Sequence, residues 1–258
     1  MRLAVIGGTG VGPEALFDTT QPLHVETPYG RVALQQAQPT KEDVFFLARH
    51  GTGHSLPPHR INYRANMWAL HHLGVEGVVA TAAVGGLVRK MQPGDLVVVD
   101  SFIDFTSGRP STFFDGDDAR VVHTDMTQPY CPTLRRALLT AGQSLPNRIH
   151  QTGCYVCTNG PRYETPAEVS AFAMLGGTIV GMTALPEVVL ARELGLCYAT
   201  IALVTNLGAG LTLDPLDHDQ VVQSMQACGE SVCKLLRDAM GTLGTAKCHL
   251  CAASKPEF

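Results

Sequence analysis

Short runs of apolar residues recur along the chain, and segments with helical spacing of apolar positions lie between them. These apolar runs predict strands at residues 3–6, 44–48, 78–83, 97–103, 153–158, 178–180 and 197–204. Segments bounded by capping residues, proline or glycine predict helices at residues 62–73, 132–141, 186–194 and 218 to about 240. Strands alternating with helices are typical of an α/β domain, which binds ligands where its strands end.

A glycine-rich segment follows the first predicted strand, where residues 7–12 read Gly-Gly-Thr-Gly-Val-Gly. Such a loop lets backbone N–H groups approach an anion closely, and Thr9 adds a hydroxyl donor. The segment departs from the G-x-G-x-x-G spacing of dinucleotide-binding loops, and Pro13 interrupts the helix that such a motif needs. We therefore predict a site for phosphate or an anion of similar size.

Two further strand ends carry candidate anion contacts. Arg49 and His50 directly follow the strand predicted at 44–48. Arginine offers a planar fork that matches phosphate oxygens, and a neighbouring histidine can donate a second hydrogen bond. Residues 84–86 read Val-Gly-Gly and predict a tight bend after strand 78–83, where the backbone of Ala83 can face a ligand.

The segment before residue 166 predicts a helix start that places two side chains in a cleft. Thr165, Pro166 and Glu168 form a hydroxyl N-cap, a proline at the first helical position and the glutamate of a capping box. Tyr163 and Glu164 then lie on the preceding loop. An aromatic face beside a carboxylate suits a flat heterocycle that carries N–H donors.

Composition limits the classes of partner. The 258 residues are 45% hydrophobic and 16% charged, which is enough for one sizeable core or two small domains. The net charge of −4 gives no positive surface that would favour binding to nucleic acid or an anionic membrane. No apolar run reaches transmembrane length, and no signal peptide precedes the first predicted strand. We therefore expect a cytoplasmic protein with neither nucleic-acid nor membrane partners, and locally placed cations if its substrate is anionic.

Eight cysteines occur, and four of them form two C-x-x-C pairs, Cys154/Cys157 and Cys248/Cys251. The pairs lie too far apart in the chain for the spacing of a single zinc module. Most of the cysteines have apolar neighbours, as buried free thiols do in reduced compartments. We accordingly predict no metal site.

Five short blocks occur in order along the chain: residues 7–10 (GGTG), 48–51 (ARHG), 62–66 (NYRAN), 160–165 (GPRYET) and 181–187 (GMTALPE). With these blocks the chain resembles, over nearly its whole length, the family of trimeric purine nucleoside phosphorylases and methylthioadenosine phosphorylases. The resemblance implies an α/β fold with a twisted, mixed, barrel-like sheet flanked by helices. It also implies a homotrimer and phosphorolysis of a purine nucleoside without a metal or organic cofactor. We expect one phosphorylase domain at residues 1–245 and a polar tail at residues 246–258.

The resemblance assigns roles to individual residues. The phosphate contacts that it implies are Thr9, Arg49, His50, Thr183 and the backbone of Ala83. Met182 matches the residue under the ribose, and Tyr163 matches the aromatic that packs on the base. His123 resembles a histidine that reaches the 5′ pocket of a neighbouring subunit, and His218 aligns with one that binds the ribose 5′-hydroxyl.

Glu164 and Asn206 separate the two branches of the family by their chemistry. A 6-oxopurine presents O6 as an acceptor and N1–H as a donor, whereas adenine presents a 6-amino donor and a bare N1. A carboxylate at Glu164 can accept from N1–H, and the amide of Asn206 can donate to O6 and pair with N7. The adenine-selective branch usually has a small hydroxyl residue and an aspartate at these positions. This pair predicts a 6-oxopurine substrate.

These expectations predict phosphorolysis of inosine and guanosine to free base and ribose 1-phosphate, a reaction of purine salvage. Arg49 and His50 would position phosphate, and Asn206 would stabilise the departing purine at N7. The alternatives are 5′-methylthioinosine or 5′-methylthioadenosine as the nucleoside. A nucleosidase that uses water is a further alternative, which Arg49 and Thr183 argue against. A nucleotide-binding oxidoreductase and an inactive binding protein have no sequence feature in their favour that phosphorolysis lacks.

Overall fold

The computed structural model describes residues 1–38, 43–117, 120–212 and 218–243, together with Cys248 and Cys251. The strands of these residues are β1 (Leu3–Gly7), β2 (Thr19–Val25), β3 (Val32–Gln38), β4 (Val44–Ala48), β5 (Gly77–Gly86), β6 (Leu96–Val98), β7 (Ser101–Asp104), β8 (Ile149–His150), β9 (Cys154–Cys157), β10 (Ile179–Gly181) and β11 (Cys197–Leu207). The helices are α1 (Tyr63–His72), α2 (Pro132–Gly142), α3 (Pro166–Met174), α4 (Glu187–Glu193) and α5 (His218–Thr242). Of residues 52 and 218–220 the structure describes the backbone alone.

One sheet carries all of these strands. Its main path runs β2-β3-β4-β1-β5-β10-β9-β7, and β11 leaves this path at β5 and continues through β6 to β8. Parallel pairs such as β1–β5 and β5–β11 occur beside antiparallel pairs such as β5–β10. The predicted mixed α/β sheet is therefore confirmed. In the part of the chain that the structure describes, the sheet branches and does not form a closed barrel, which corrects the barrel-like shape that the resemblance implies.

Helices cover both faces of the sheet and create two cores. Alternate residues of β1 belong to opposite cores, with Ala4 and Ile6 in one and Leu3 and Val5 in the other. Buried residues of α1 and α4 complete the first core, and those of α2 and α5 complete the second. Because both of their faces are covered, β5 and β11 are almost continuously apolar and buried.

Two sequence predictions about strands were wrong. Residues 97–103, predicted as one strand, divide into β6, which pairs with β11 and β8, and β7, which pairs with β9. Apolar character alone cannot reveal that the chain changes partners at Asp100. The bend predicted at residues 84–86 is also absent, because β5 continues through Gly86 and stays paired with β11 on both sides of a bulge in β11.

Two residues of the expected polar tail lie in the core. Cys248 is 8% exposed and Cys251 is 2% exposed, and both belong to the core that α2 and α5 complete. The boundary predicted at residue 245 remains a prediction, but the tail is not wholly polar surface. Among the described helices, none combines the length and the apolar character that crossing a bilayer requires.

Candidate active site

A cavity of about 490 Å³ lies where several strands end, within the size range of pockets that bind small ligands. Strands β1 and β4 are parallel neighbours, so the glycine-rich loop after β1 and Arg49 after β4 meet at the same edge. The predicted site residues that line this cavity are Thr9, Arg49, His50, Ala83, Tyr163, Glu164, Met182, Thr183 and Asn206. The fold therefore brings into one cavity residues that are widely separated in the sequence.

Arg49 is 2% exposed and is held by a carboxylate that the sequence analysis did not single out. Its Nε and Nη2 atoms donate to the two carboxylate oxygens of Glu187 at 2.7 and 2.8 Å, and Nη1 donates to the backbone oxygen of Thr81 at 2.7 Å. Burial alone would lower the pKa of Arg49, but Glu187 outweighs it and raises that pKa. Tyr198 donates its hydroxyl to the same carboxylate at 2.6 Å. Arg49 is thus a charged, rigidly oriented donor whose charge is already balanced.

The glycine loop packs directly on this arginine. A Cβ atom at Gly8 would lie 2.9 Å from the Thr81 backbone oxygen and 3.0 Å from Nη1 of Arg49. The Gly8 N–H donates to the Thr81 hydroxyl at 2.9 Å. Only glycine allows the loop to approach Arg49 this closely, so the loop and the guanidinium can contact the same anion.

His50 is a neutral ring at neutral pH. Burial lowers its pKa to about 4, with further contributions from the positive charge of Arg49 and from His54. Its Nδ1 lies 2.8 Å from the backbone oxygen of Leu56, so Nδ1 carries the proton and donates it. The other nitrogen, Nε2, is then an acceptor. His50 was expected to donate a hydrogen bond to an anion, and the contact with Leu56 corrects that expectation for the neutral ring.

His54, to which the sequence analysis assigned no role, also lines the cavity. Its ring stacks on that of His50 with centroids 4.1 Å apart and an interplanar angle of 19°. The chain reaches this position through Gly51, whose φ of 72° lies in the left-handed region. A histidine in a loop rich in glycine, serine and proline gave no signal of this stack.

Tyr163 and Glu164 lie on the loop before α3, as the capping box predicted. The Thr165 hydroxyl accepts from the Glu168 N–H at 3.2 Å, and the Thr165 N–H donates to the Glu168 carboxylate at 2.8 Å. Glu164 accepts the Thr158 hydroxyl at 2.8 Å on one of its oxygens. Burial raises the pKa of Glu164. A carboxylate has about four acceptor sites, so most of its capacity is left for a ligand.

A β-bulge orients Asn206. The register of β11 against β5 shifts between Val204 and Asn206, so Thr205 is the extra residue. The Thr205 hydroxyl donates to the Asn206 side-chain oxygen at 2.8 Å, and the Asn206 amide donates to the Leu207 backbone oxygen at 3.0 Å. These bonds fix the amide and use one of its two N–H donors. No acceptor among the described residues takes the second N–H, so it can donate to a ligand.

Arg109 joins the loops that form one wall of the site, a role that no sequence motif indicated. Its Nη1 donates to the backbone oxygens of Met182 and Leu185 at 2.9 and 2.6 Å. Its Nη2 donates to those of Thr158 and Asn159 at 3.2 and 3.1 Å. These bonds link the segment that carries Met182 to the strand end that contacts Glu164.

Two of the predicted ribose contacts remain predictions. His123 is exposed and does not line the cavity of its own chain as described, and its predicted contact involves a neighbouring subunit. His218 begins α5, but its side chain lies outside the described part of the chain. Val221, one turn further along α5, lines the cavity, so the start of this helix lies beside it.

Comparison with known proteins identifies a family and several relatives. The model of the phosphorylase superfamily matches residues 2–240. The 6-oxopurine nucleoside phosphorylase of Pyrococcus furiosus is 50% identical over 244 residues, which cover 93% of this chain and 92% of that protein. A probable S-methyl-5′-thioinosine phosphorylase of Methanopyrus kandleri is 51% identical over 81% of this chain and 80% of its own. Among solved structures, methylthioadenosine phosphorylase from Schistosoma mansoni in complex with adenine has a TM-score of 0.90 and 33% identity, covering 98% of this chain and 95% of that one.

Proposed function

We propose, given that this chain belongs to the phosphorylase superfamily, that it catalyses the phosphorolysis of 6-oxopurine nucleosides. The products from inosine or guanosine are the free base and ribose 1-phosphate, as in purine salvage. The observation that carries the proposal is that Glu164 and Asn206 line the same cavity as Arg49, His50 and Thr183. The Pyrococcus furiosus relative, a 6-oxopurine nucleoside phosphorylase by name, supports it.

The site recognises the purine base through complementary hydrogen bonds. An ionised Glu164 accepts from N1–H of a 6-oxopurine, while the remaining N–H of Asn206 donates to the base. Adenine has no proton on N1, so it would leave the half-buried carboxylate of Glu164 facing a bare acceptor. A site that loses a hydrogen bond to a buried charged group rejects the wrong substrate strongly. Tyr163 covers the aromatic face of the base.

Phosphate is held by donors of several kinds. The Thr9 and Thr183 hydroxyls, the backbone at Ala83 and Arg49 supply hydrogen bonds at the cavity wall. Because Glu187 balances the charge of Arg49, the arginine contributes directed donors more than net positive charge. The neutral His50 presents Nε2 as an acceptor, which suits the protonated oxygen of hydrogen phosphate.

The reaction exchanges one bond to C1′ of the ribosyl group for another. A phosphate oxygen bonds to C1′ as the bond from C1′ to N9 of the purine breaks, through a transition state with oxocarbenium character. The fixed phosphate places negative charge beside the cationic sugar, and Met182 packs under that sugar. Asn206 hydrogen-bonds N7 as the leaving base gains a proton. No cofactor takes part, since phosphate is itself the second substrate.

We also propose a cellular location, an oligomeric state and partners for the enzyme. We expect a cytoplasmic homotrimer, with His123 reaching the 5′ pocket of a neighbouring subunit and His218 binding the 5′-hydroxyl. Neither nucleic acid nor a membrane is expected as a partner. The alternative nucleosides are S-methyl-5′-thioinosine, which the Methanopyrus kandleri relative favours, and S-methyl-5′-thioadenosine. All three candidate substrates would use the same phosphate site, and they differ in the base and the 5′ substituent.

Base release from inosine, 5′-methylthioinosine, adenosine and 5′-methylthioadenosine, each with and without phosphate, tests this function. We expect hypoxanthine release that requires phosphate and is faster from inosine than from its 5′-methylthio analogue. Release that is independent of phosphate would make the protein a nucleosidase. A preference for 5′-methylthioinosine would retain the base site but overturn the role given to His218.

A further inference from the structure

Four cysteines converge at the end of the sheet remote from the candidate active site. The Sγ atoms of Cys131, Cys197, Cys248 and Cys251 all lie within 4.8 Å of one another, and all four residues are buried. They come from three separate parts of the chain: the residue before α2, the first residue of β11 and the segment beyond Leu243. Thiols gathered in this number from distant segments are not explained by apolar packing of single cysteines.

We propose that these four cysteines bind a structural Zn²⁺ ion as thiolates. Zinc in structural sites takes four ligands in a tetrahedron, and four cysteines are a common set. Sulfur atoms about 2.3 Å from a central zinc stand about 3.8 Å from one another. The observed separations, none above 4.8 Å, would contract by at most about 1 Å to reach that geometry. A closed set of four protein ligands leaves no position for a substrate, so the ion holds the fold and has no catalytic role.

Local backbone geometry supports a preformed ligand set. The Cys251 N–H donates to the Cys248 backbone oxygen at 3.2 Å, which holds the two residues of this C-x-x-C pair close together beside the cluster. The Cys131 N–H donates to the Tyr198 backbone oxygen at 2.8 Å, which fixes Cys131 beside Cys197. Cys131 also precedes α2, and the positive end of a helix favours a thiolate there.

A cavity reaches the cysteine cluster, and the cluster lies far from the candidate active site. A cavity of about 320 Å³ is lined by Cys197, Cys248 and Cys251 and gives access to the cluster. Cys197 begins β11 and Asn206 lies near its other end, so at about 3.3 Å per residue the cluster and the leaving-group site are about 30 Å apart. Loss of the ion should therefore affect stability before it affects the chemical step.

The site could not be predicted from the sequence because its ligands are distant in the chain. The C-x-x-C pair at Cys248 and Cys251 does not join the pair at Cys154 and Cys157. It joins two isolated cysteines instead. Cys154 and Cys157 lie three residues apart on strand β9, so their side chains point to opposite faces of the sheet. The expectation of no metal rested on spacing along the chain, which does not report proximity after folding.

Metal content of the full chain, purified in reducing buffer without chelator, tests the proposal. We expect about one zinc per chain by mass spectrometry of the metal. After exchange, Co²⁺ should give the intense visible bands of tetrahedral thiolate coordination. Cys251→Ser should lose the ion, whereas the matched control Cys154→Ser, in the other C-x-x-C pair, should keep it. A chelator strong enough to remove zinc should lower Tm by several degrees and leave the initial rate of inosine phosphorolysis unchanged at temperatures below the transition.

A count of free thiols in the denatured wild-type protein distinguishes zinc binding from disulfide formation. Zinc binding leaves all eight cysteines as thiols once the metal is removed. Disulfides within the cluster would lower the count by two for each bond and would overturn the proposal. Wild-type protein with a full thiol count that retains neither zinc nor cobalt would overturn it equally. Neither measurement requires the serine variant to fold.

Discussion

At the scale of single residues, the site depends on side chains whose freedom is removed by hydrogen bonds to their neighbours. Glu187 and Thr81 hold Arg49, and Thr205 holds Asn206. Sequence motifs reveal the chemistry of the contacting residues, because arginine, asparagine and glutamate carry recognisable donors and acceptors. They do not reveal the residues that orient them, because those residues contribute only after folding.

Asn206→Ala tests the leaving-group role. Asn206 is expected to strengthen its hydrogen bond to N7 in the transition state, so its loss should lower kcat by about 10²–10³-fold, with a smaller effect on nucleoside KM. Steady-state kinetics with inosine at saturating phosphate measure both constants. A variant with wild-type kcat would remove Asn206 from the chemical step.

Glu187→Gln tests the buried ion pair with Arg49. The two side chains are 1% and 0% exposed, so neutralising Glu187 leaves a buried guanidinium without its counter-charge. Breaking such a pair costs about 3–5 kcal/mol of unfolding free energy. The matched control is Glu168→Gln, whose partner Arg162 is 68% exposed. Surface ion pairs contribute about 0–1 kcal/mol, and Glu168 also belongs to a capping box, so a loss of up to about 2 kcal/mol is expected there. Equal losses in urea denaturation would contradict the special role of Glu187.

At the scale of elements, the sequence predicted those whose signals are local. The capping box at Thr165 and Glu168 predicted the start of α3, and Asn62 and Gly74 predicted the ends of α1. Strands β2 and β3 were not predicted, because they form a hairpin at the edge of the sheet and contain polar, half-exposed residues that interrupt any apolar run. The bulge at Thr205 also escaped, because it exists only in the pairing of β11 with β5.

Thr165→Ala tests the capping box as a support for the base loop. Loss of the hydroxyl leaves a helix N–H without its partner and should lower the unfolding free energy by about 1 kcal/mol. Ser170→Ala, at an exposed position in the interior of the same helix, should change it by no more than about 0.5 kcal/mol. Because Tyr163 and Glu164 lie on the adjoining loop, Thr165→Ala should also raise nucleoside KM, and an unchanged KM would separate the cap from the base site.

At the scale of the whole molecule, one sheet with helices on both faces brings the glycine loop, the β4 terminus and the end of β11 to a single cavity. The alternating pattern of strands and helices predicted this general arrangement. The branch at β5 and the convergence of four cysteines could not be predicted, because both result from contacts between segments that are distant in the chain. Assembly of subunits lies beyond a single chain, so the trimer remains a proposal.

The pH dependence of global stability tests the buried, neutral state of His50. Its pKa is 6.5 as a free side chain and about 4 in the folded protein, so the unfolded chain takes up the proton first as pH falls. The unfolding free energy contributed by His50 is therefore present above pH 6.5 and is lost as pH falls from about 6.5 toward 4.

His50→Gln should show a smaller decrease in unfolding free energy over that range than the wild type. His59→Gln, at an exposed position in the same region, is the matched control and should follow the wild type. Denaturant titrations at pH 7 and at pH 4.5 measure the decrease in unfolding free energy of each protein. Other titrating groups contribute equally to that decrease in all three proteins. Parallel pH dependence in all three would show that His50 is not held neutral by the fold.

The measurement that tests the account most directly is the ratio of kcat/KM for inosine to kcat/KM for adenosine, in the wild type and in the double variant Glu164→Ser, Asn206→Asp. The wild type should favour inosine strongly, because Glu164 accepts from N1–H and Asn206 donates to the base. The double variant should shift the ratio toward adenosine, because a hydroxyl can donate to N1 and a carboxylate can accept the 6-amino group. A wild-type preference for adenosine, or a ratio that the double variant leaves unchanged, would contradict the base-reading role of these two residues.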